Sequence, residues 1–564
     1  LPEDLTAKAG QNNGSLMSRQ TGQVDLANQH KLIDALLHRH CPGQSAQPVR
    51  LVETHISWVL LAGRYAYKIK KALNLGFLDF TSLAQRKLYC DEEIRLNSRL
   101  APAIYLDVIA FGGDPDKPEY GALPALEYAV RMRRFPAKKQ LDYLLVQRKI
   151  EPQHMDKLAV LMADFHATLP HAEVNSRFGK PATIRAAARQ NFDQLQSLLS
   201  APAALTAQAD LDTVAELRLS TEKSYAAGQQ YFKLRRTRGF IRECHGDLHP
   251  GNIVLIGDQP VPFDGIEFNP ALRWIDVIDE ISFLMMDLCY RQRQDLAFCF
   301  LNAYLEQTGD YSGVAVLRFY LAYRAVVRAK VSAIRAFQPG HGKLKQTQLL
   351  SSCRNYLKLA GECLVTARPA LIITHGLPGC GKSTFARIAA QRLQAIGIRS
   401  DVERKRLFGI GQRQPSGSLA GKGIYSTDAS NSTYSRLLEL AQALLTAGHP
   451  VIVDAAFLRQ DQREQFHALA LSFSVPFVIV SIAVSAATLL ERISLRQNQA
   501  NDASEADHKV LQLLQAQQQP LLSHELEQSV IFVNDANEEG RFTDVVGWNK
   551  LDELLSLSAT KFSD

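Results

Sequence analysis

Residues Leu371–Thr384 read Leu-Ile-Ile-Thr-His-Gly-Leu-Pro-Gly-Cys-Gly-Lys-Ser-Thr. The apolar run Leu371–Thr374 has the character of a buried strand, and Phe385–Leu393 that of a helix. Between them Gly376–Thr384 satisfies GxxxxGK[ST], in the strand–loop–helix context that motif requires. Glycines at Gly376, Gly379 and Gly381 let backbone amides close around phosphate oxygens, and the following helix N-terminus adds positive potential. Lys382 is placed to meet the β- and γ-phosphates and Ser383 to hold Mg²⁺, with Thr384 completing the motif. This stretch predicts a nucleotide site using ATP and Mg²⁺, in an α/β P-loop NTPase domain.

Downstream, a strand runs into Asp401, and Asp401 and Arg404 have D-x-x-R spacing. Asp401 either accepts a proton from an acceptor hydroxyl, with Arg404 holding an anionic acceptor, or caps a helix beside a solvated arginine. Val451–Asp454 is an apolar strand ending in one carboxylate, which suits either a water-mediated Mg²⁺ contact or a helix cap. Arg492 and Arg496 stand one turn apart on a helix, as a lid over a transferring phosphoryl group or as a solvated face. Further apolar strands near 476–484 and 529–533 alternate with helices, which implies a parallel sheet. With GLPGCGKST and VIVDA, the region of roughly 370–535 resembles the small P-loop kinases: phage polynucleotide kinase, zeta-toxin-like and gluconate-kinase-like enzymes. A strand ending in a single aspartate favours a kinase over a motor-type ATPase.

Upstream lies a second phosphotransfer pattern. His245-Gly-Asp-Leu-His-Pro-Gly-Asn252 has the D-x-x-x-x-N spacing of a kinase catalytic loop. The short strand Ile253–Ile256, a turn at Gly257-Asp258 and a return strand through Phe263 bring Asn252 and Asp264 to the open end of one hairpin. Asp247 suits the base for an acceptor hydroxyl, and Asn252 and Asp264 suit metal ligands. HGDLHPGN and FDGIEF together resemble the aminoglycoside phosphotransferase and choline-kinase-like branch of the protein-kinase fold. That resemblance implies a strand lysine on the nucleotide phosphates, oriented by a helix glutamate. Lys68 and Glu93 are the expected pair; Lys70 shares the strand face of Lys68, and Glu92 adjoins Glu93. Asp279, at a helix start, is expected to support the catalytic loop. Arg324, Arg328 and Arg335 form a helical stripe, either solvated or facing an anionic acceptor.

The whole arrangement resembles bacterial fusions of an aminoglycoside-phosphotransferase-family domain to a P-loop kinase, over about 45–535. The expected fold is an α+β protein-kinase-like bilobal domain followed by an α/β P-loop domain with a parallel sheet. Expected boundaries are a tail at 1–22, the kinase-like domain at 23–366, the P-loop kinase at 367–540 and a tail at 541–564. At 564 residues the chain exceeds one hydrophobic core, and 46% hydrophobic with 21% charged residues is ordinary globular composition. The eight cysteines include no CxxC pair, so neither a zinc site nor a disulfide framework is indicated, and a reducing, cytoplasmic compartment fits. The initial residues lack the apolar core of a signal peptide, and the most apolar stretch, 468–484, is broken by Ser472, Ser474 and Pro476, so no membrane partner is expected. A net charge of +7 suits anionic ligands without demanding nucleic acid. The favoured acceptor is a small hydroxyl-bearing metabolite. A macromolecular acceptor, nucleic acid or protein, and a non-enzymatic ATP-dependent switch are the alternatives.

Overall fold

The computed structural model describes residues 26–38, 49–75, 78–200, 207–338, 340, 342–365, 368–412, 414–418, 422–499, 508–535 and 542–557. They pack into two compact units that do not follow chain order. One takes the described residues of Leu1–Ile150, Asp164–Gly179 and Arg236–Glu280, and the other those of Glu151–Ala163, Lys180–Arg235 and Ile281–Asp564.

The first unit is built on an antiparallel sheet of β1 (Arg50–Glu53), β2 (Ser57–Ala62), β3 (Tyr65–Lys70), β4 (Tyr105–Asp114), β5 (Lys117–Tyr120) and β6 (Ala125–Arg133), in the order β1-β2-β3-β6-β4-β5. Alternation along β2 and β3 sends Trp58, Leu60, Tyr67 and Ile69 to one face, where Leu32, Ile33 and Leu36 of the helix 26–38 cover them. The helix Leu83–Asn97 starts at a capping box, Ser82 with Gln85, which satisfies amides its first turn leaves unpaired. The strands β7 (Ile241–Glu243) and β10 (Trp274–Asp276) pair with each other, as do β8 (Ile253–Ile256) and β9 (Gln259–Pro262).

The second unit contains β11 (Leu371–His375), β12 (Ile396–Arg399), β13 (Val451–Asp454), β14 (Phe477–Ala483) and β15 (Ser529–Val533), all parallel, in the order β12-β13-β11-β14-β15. Every residue of the central β11 is buried, as a parallel strand covered on both faces demands. The edge strand β12 is covered by a side chain. Asn302, on the helix Gln294–Thr308, accepts from the Gly397 amide at 2.7 Å and donates to the Ala395 carbonyl at 3.0 Å. Its carboxamide supplies the donor and acceptor that a neighbouring strand would. In the same unit, Ala322, Ala325, Ala329 and Ala333 along the helix Val314–Ala336 admit Leu350, Cys353 and Leu357 of the helix Lys343–Leu364.

The expected boundary at 366/367 lies outside the described residues, as does the expected tail at 1–22. The expected C-terminal tail is corrected over 545–557. The helix Val545–Leu557 buries Trp548 and Leu551, and the Trp548 ring stacks on Phe385 of the P-loop helix at 5.4 Å. Burial of these apolar groups outweighs the entropy of ordering the segment. No described helix is long and apolar enough to cross a membrane. The arginine stripe is packed rather than solvated at its start: Arg324 is buried over the Phe283 ring at 4.8 Å, and Arg328 lies 3.9 Å from Asp287.

Two buried histidines are expected to make this unit acid-sensitive. Burial, with Arg463 and Lys382 nearby, pushes His375 from 6.5 down to about 4; burial and Arg318 push His449 down to about 3. Below pH 6.5 the unfolded chain therefore binds protons that the folded chain refuses, so stability falls as pH falls. Each histidine costs about 1.4 kcal/mol per pH unit between its unfolded and folded values. Thermal unfolding measured from pH 7 downward should show this loss, with a shallower slope in His449→Gln; an unchanged slope would contradict the assignment.

Candidate active sites

The hairpin of β8 and β9 sets Ile253 opposite Pro262, and beyond it the Phe263 amide donates to the Asn252 carbonyl at 2.9 Å. Asn252 and Asp264 thus flank the open end. Asn252 Nδ2 donates to Asp247 Oδ2 at 2.9 Å, and His249 Nε2 lies 3.5 Å from the same oxygen. The side chains of Asp247 and Asp264 are 34% and 44% exposed, so both remain accessible to ligand. The loop itself is held from behind. His245 Nε2 meets the Phe263 carbonyl at 2.9 Å, the Ile266 amide donates to the His245 carbonyl at 2.9 Å, and the Gly246 amide donates to Glu280 Oε2 at 3.0 Å. That last support comes from Glu280, one residue beyond Asp279, where sequence placed it.

Gly246 has φ +87°, and a Cβ there would stand 2.8 Å from the Leu272 carbonyl oxygen. Gly246→Ala should therefore cost about 1–3 kcal/mol of stability, read by chemical denaturation. A variant as stable as the parent would show that the loop relaxes without strain.

Lys68 Nζ lies 2.8 Å from Glu93 Oε1 and 2.5 Å from Asp264 Oδ1. Lys70, two residues along the same strand face, puts Nζ 2.7 Å from Glu93 Oε2 and also pairs with Glu267. Glu93 thus receives both lysines, while Glu92 bonds Arg95 and Arg273. Burial raises the Glu93 carboxyl, but Lys68 and Lys70 outweigh it and hold it lowered. Burial likewise works against the Lys68 charge, and Asp264, Glu93 and Glu267 keep it raised. Glu267 goes the other way, burial raising it more than Lys70 lowers it. Asp264 sits at φ +63°, uncommon for a residue with a Cβ, held by a bond from its amide to Tyr105 Oη at 3.0 Å. The next amide, of Gly265, donates to Asn97 Oδ1 at 2.7 Å. Tyr105, Asn97 and Glu267 were not legible as site residues, although Glu267 lies inside FDGIEF.

In the P-loop, Gly376, Gly379 and Gly381 all have positive φ, at 144°, 85° and 103°. Lys382 Nζ donates to the Leu377 carbonyl at 2.8 Å, and Asn534 Nδ2 donates to the Cys380 carbonyl at 2.7 Å. Asn534 follows β15 and carried no motif that sequence could flag. Ser383 and Asp454 line the same cavity, and Thr384 follows Ser383 in the helix Lys382–Leu393. Burial raises the Asp454 carboxyl, opposed by Arg399, Ser383 and Lys382. Asp401 is not at a strand end: β12 stops at Arg399, and Asp401 lies in the first turn of the helix Ser400–Leu407. It pairs with Arg404 Nη1 at 2.9 Å, and the Arg404 guanidinium lies over the Tyr425 ring at 5.3 Å. Arg492 is partly buried on the helix Ala486–Gln499 with its charge near Asp535; the Arg496 side chain lies outside the described residues.

Fold and sites together define a unit carrying a kinase-like catalytic loop with a buried lysine–glutamate pair, and a unit carrying a P-loop on a five-stranded parallel sheet. A family model described as an AAA domain matches residues 371–521. The chain is 31% identical over 452 residues to uncharacterized protein Rv2004c of Mycobacterium tuberculosis, covering 80% of this chain and 87% of that protein, and it belongs to the same family. Among solved structures it is similar to the amicoumacin kinase hAmiN, at 14% identity, TM-score 0.36, and 60% and 95% coverage of the two chains. It is also similar to a gluconokinase from Sinorhizobium meliloti 1021, at 18% identity, TM-score 0.23, and 34% and 94% coverage.

Proposed function

We propose that this chain is an ATP- and Mg²⁺-dependent phosphotransferase with a nucleotide site in each half, moving the γ-phosphoryl group of ATP to a hydroxyl of a small metabolite. The observation that carries this reading is the contact chain Glu93–Lys68–Asp264 beside Asn252–Asp247 at one hairpin mouth. In-line transfer asks little covalent chemistry of a protein; it asks for positioning and charge neutralisation. Asp247, open on one side and steadied by Asn252, takes the acceptor hydroxyl proton as the new O–P bond forms and the bond to the β,γ-bridging oxygen breaks. Lys68, fixed by Glu93, holds phosphate oxygens.

The donor sets fit a hard divalent cation: Asn252 uses Nδ2 on Asp247 and keeps Oδ1 for a metal beside Asp264, while Ser383 and Asp454 offer oxygens in the second site. Bound there, the cation would neutralise charge on the phosphate oxygens. In the second half, Lys382 and the P-loop amides hold phosphates. Asp401 and Arg404, paired with each other, together with Arg492 and Arg496, are the groups assigned to the acceptor and lid.

The test uses the intact chain, labelled ATP and a pooled metabolite extract, with Asp247→Asn, Lys382→Ala and the double variant. A phosphorylated small molecule made by the parent and lost in one single variant assigns its site. Nucleotide binding without any transfer to the extract would sink the small-metabolite reading.

A further inference from the structure

The P-loop site contains a charged bridge that no P-loop motif accounts for. Arg399, the last residue of β12, places Nε 3.5 Å from Asp454 Oδ2 and Nη1 3.1 Å from Glu306 Oε1. Glu306 is not a P-loop-domain residue by sequence. It lies 93 positions earlier, in the last turn of the helix Gln294–Thr308, within the stretch read as kinase-like. Its place is well secured. Gln412 donates to its carboxylate, Arg406 donates to its backbone carbonyl, and Asn302 of the same helix is bonded to β12 on both sides of Ile396. Glu306, Arg399, Ser383 and Asp454 line one cavity of about 340 Å³.

We infer that Glu306 and Arg399 are positioning residues for Asp454, so that the metal end of the P-loop site is completed by a helix from the first half of the chain. The inference rests on the reading of Asp454 and Ser383 as metal-side groups. The physics is a shared ion pair. One guanidinium is held between two carboxylates, so Glu306 sets how closely it can approach Asp454. Without Glu306, the guanidinium loses its anchor on the helix Gln294–Thr308. It can then close on Asp454 and occupy an oxygen that would otherwise face the metal. Arg399 also fixes the rotamer of Asp454 from a rigid strand end, as outer-shell partners do for metal-side carboxylates.

The test is metal binding by the intact chain, in an Asp264→Asn background that disables the metal side of the first site. Mn²⁺ is titrated in the presence of a non-hydrolysable ATP analogue, and bound Mn²⁺ is read by electron paramagnetic resonance. Analogue affinity without metal is measured in parallel. Glu306→Gln is expected to weaken Mn²⁺ binding about 10-fold while leaving metal-free analogue affinity unchanged, and Glu306→Asp to recover part of the loss. A purely structural role would weaken both measurements together, which overturns the inference. Should Glu306→Gln fail to fold, Arg399→Lys carries the same test, because a lysine keeps the charge but lacks the fork that spans two carboxylates. If Asp454→Asn weakens Mn²⁺ binding and neither Glu306→Gln nor Arg399→Lys does, the bridge is idle and the inference falls while the site reading stands. If Asp454→Asn itself changes nothing, the reading of the second site falls, and the inference with it.

Discussion

Asp247→Asn is expected to lower transfer at the first site by about 10²–10⁴-fold, the range a positioned general base supplies. The substitution is nearly isosteric, and its amide oxygen can still accept from Asn252 Nδ2, so the loop should keep its shape. What it loses is a group able to take the hydroxyl proton. Nucleotide affinity should hold, because the phosphate-side contacts run through Lys68, Glu93 and Asp264 rather than through Asp247. The fall should therefore appear in kcat with KM for ATP unchanged. First-site transfer at the parental rate would remove Asp247 from its assigned role. An equal shift in KM for ATP would instead place it on the nucleotide.

Lys382→Ala is expected to cost the second site about 10²–10³-fold in transfer, comparable to removing one charge-stabilising donor from a pre-organised site. Here nucleotide affinity should fall as well, since the same ammonium serves ground state and transition state. Stability should change little. The one bond lost in the structure, from Nζ to the Leu377 carbonyl, is worth about 1 kcal/mol. Calorimetric titration with ATP and transfer assays on the same preparation separate the two effects. Retained second-site transfer would show that the P-loop of this chain does not serve phosphoryl transfer.

The two loops that carry these predictions were legible because each is contiguous. In GLPGCGKST and HGDLHPGN, neighbouring residues share one turn, so spacing alone constrains which groups can converge. The C-terminal helix was legible too and was missed: Trp548, Leu551 and Leu555 recur at helical spacing in 545–557, and all three join the P-loop-domain core. The choice within Lys68, Lys70, Glu92 and Glu93 was of another kind. Period-two geometry puts both lysines on one strand face, and adjacent helix positions differ only by rotation. In the packed structure Glu93 is buried between both lysines, while Glu92 turns to Arg95 and Arg273. Asp401 shows the opposite error, a residue assigned to a strand end when the strand stops two positions earlier.

Sequence by itself determined which loops can hold phosphate and which carboxylates stand in them, because that chemistry depends on residues a few positions apart. Tertiary structure alone decided which distant residues stand against those loops. Tyr105 and Asn97 accept from the Asp264 and Gly265 amides, Glu267 pairs with Lys70, Asn534 bonds the P-loop, and Glu306 reaches Arg399 across 93 positions. Such contacts form only once helices and sheets have packed. Their partners are selected by burial and reach, and no local spacing records either.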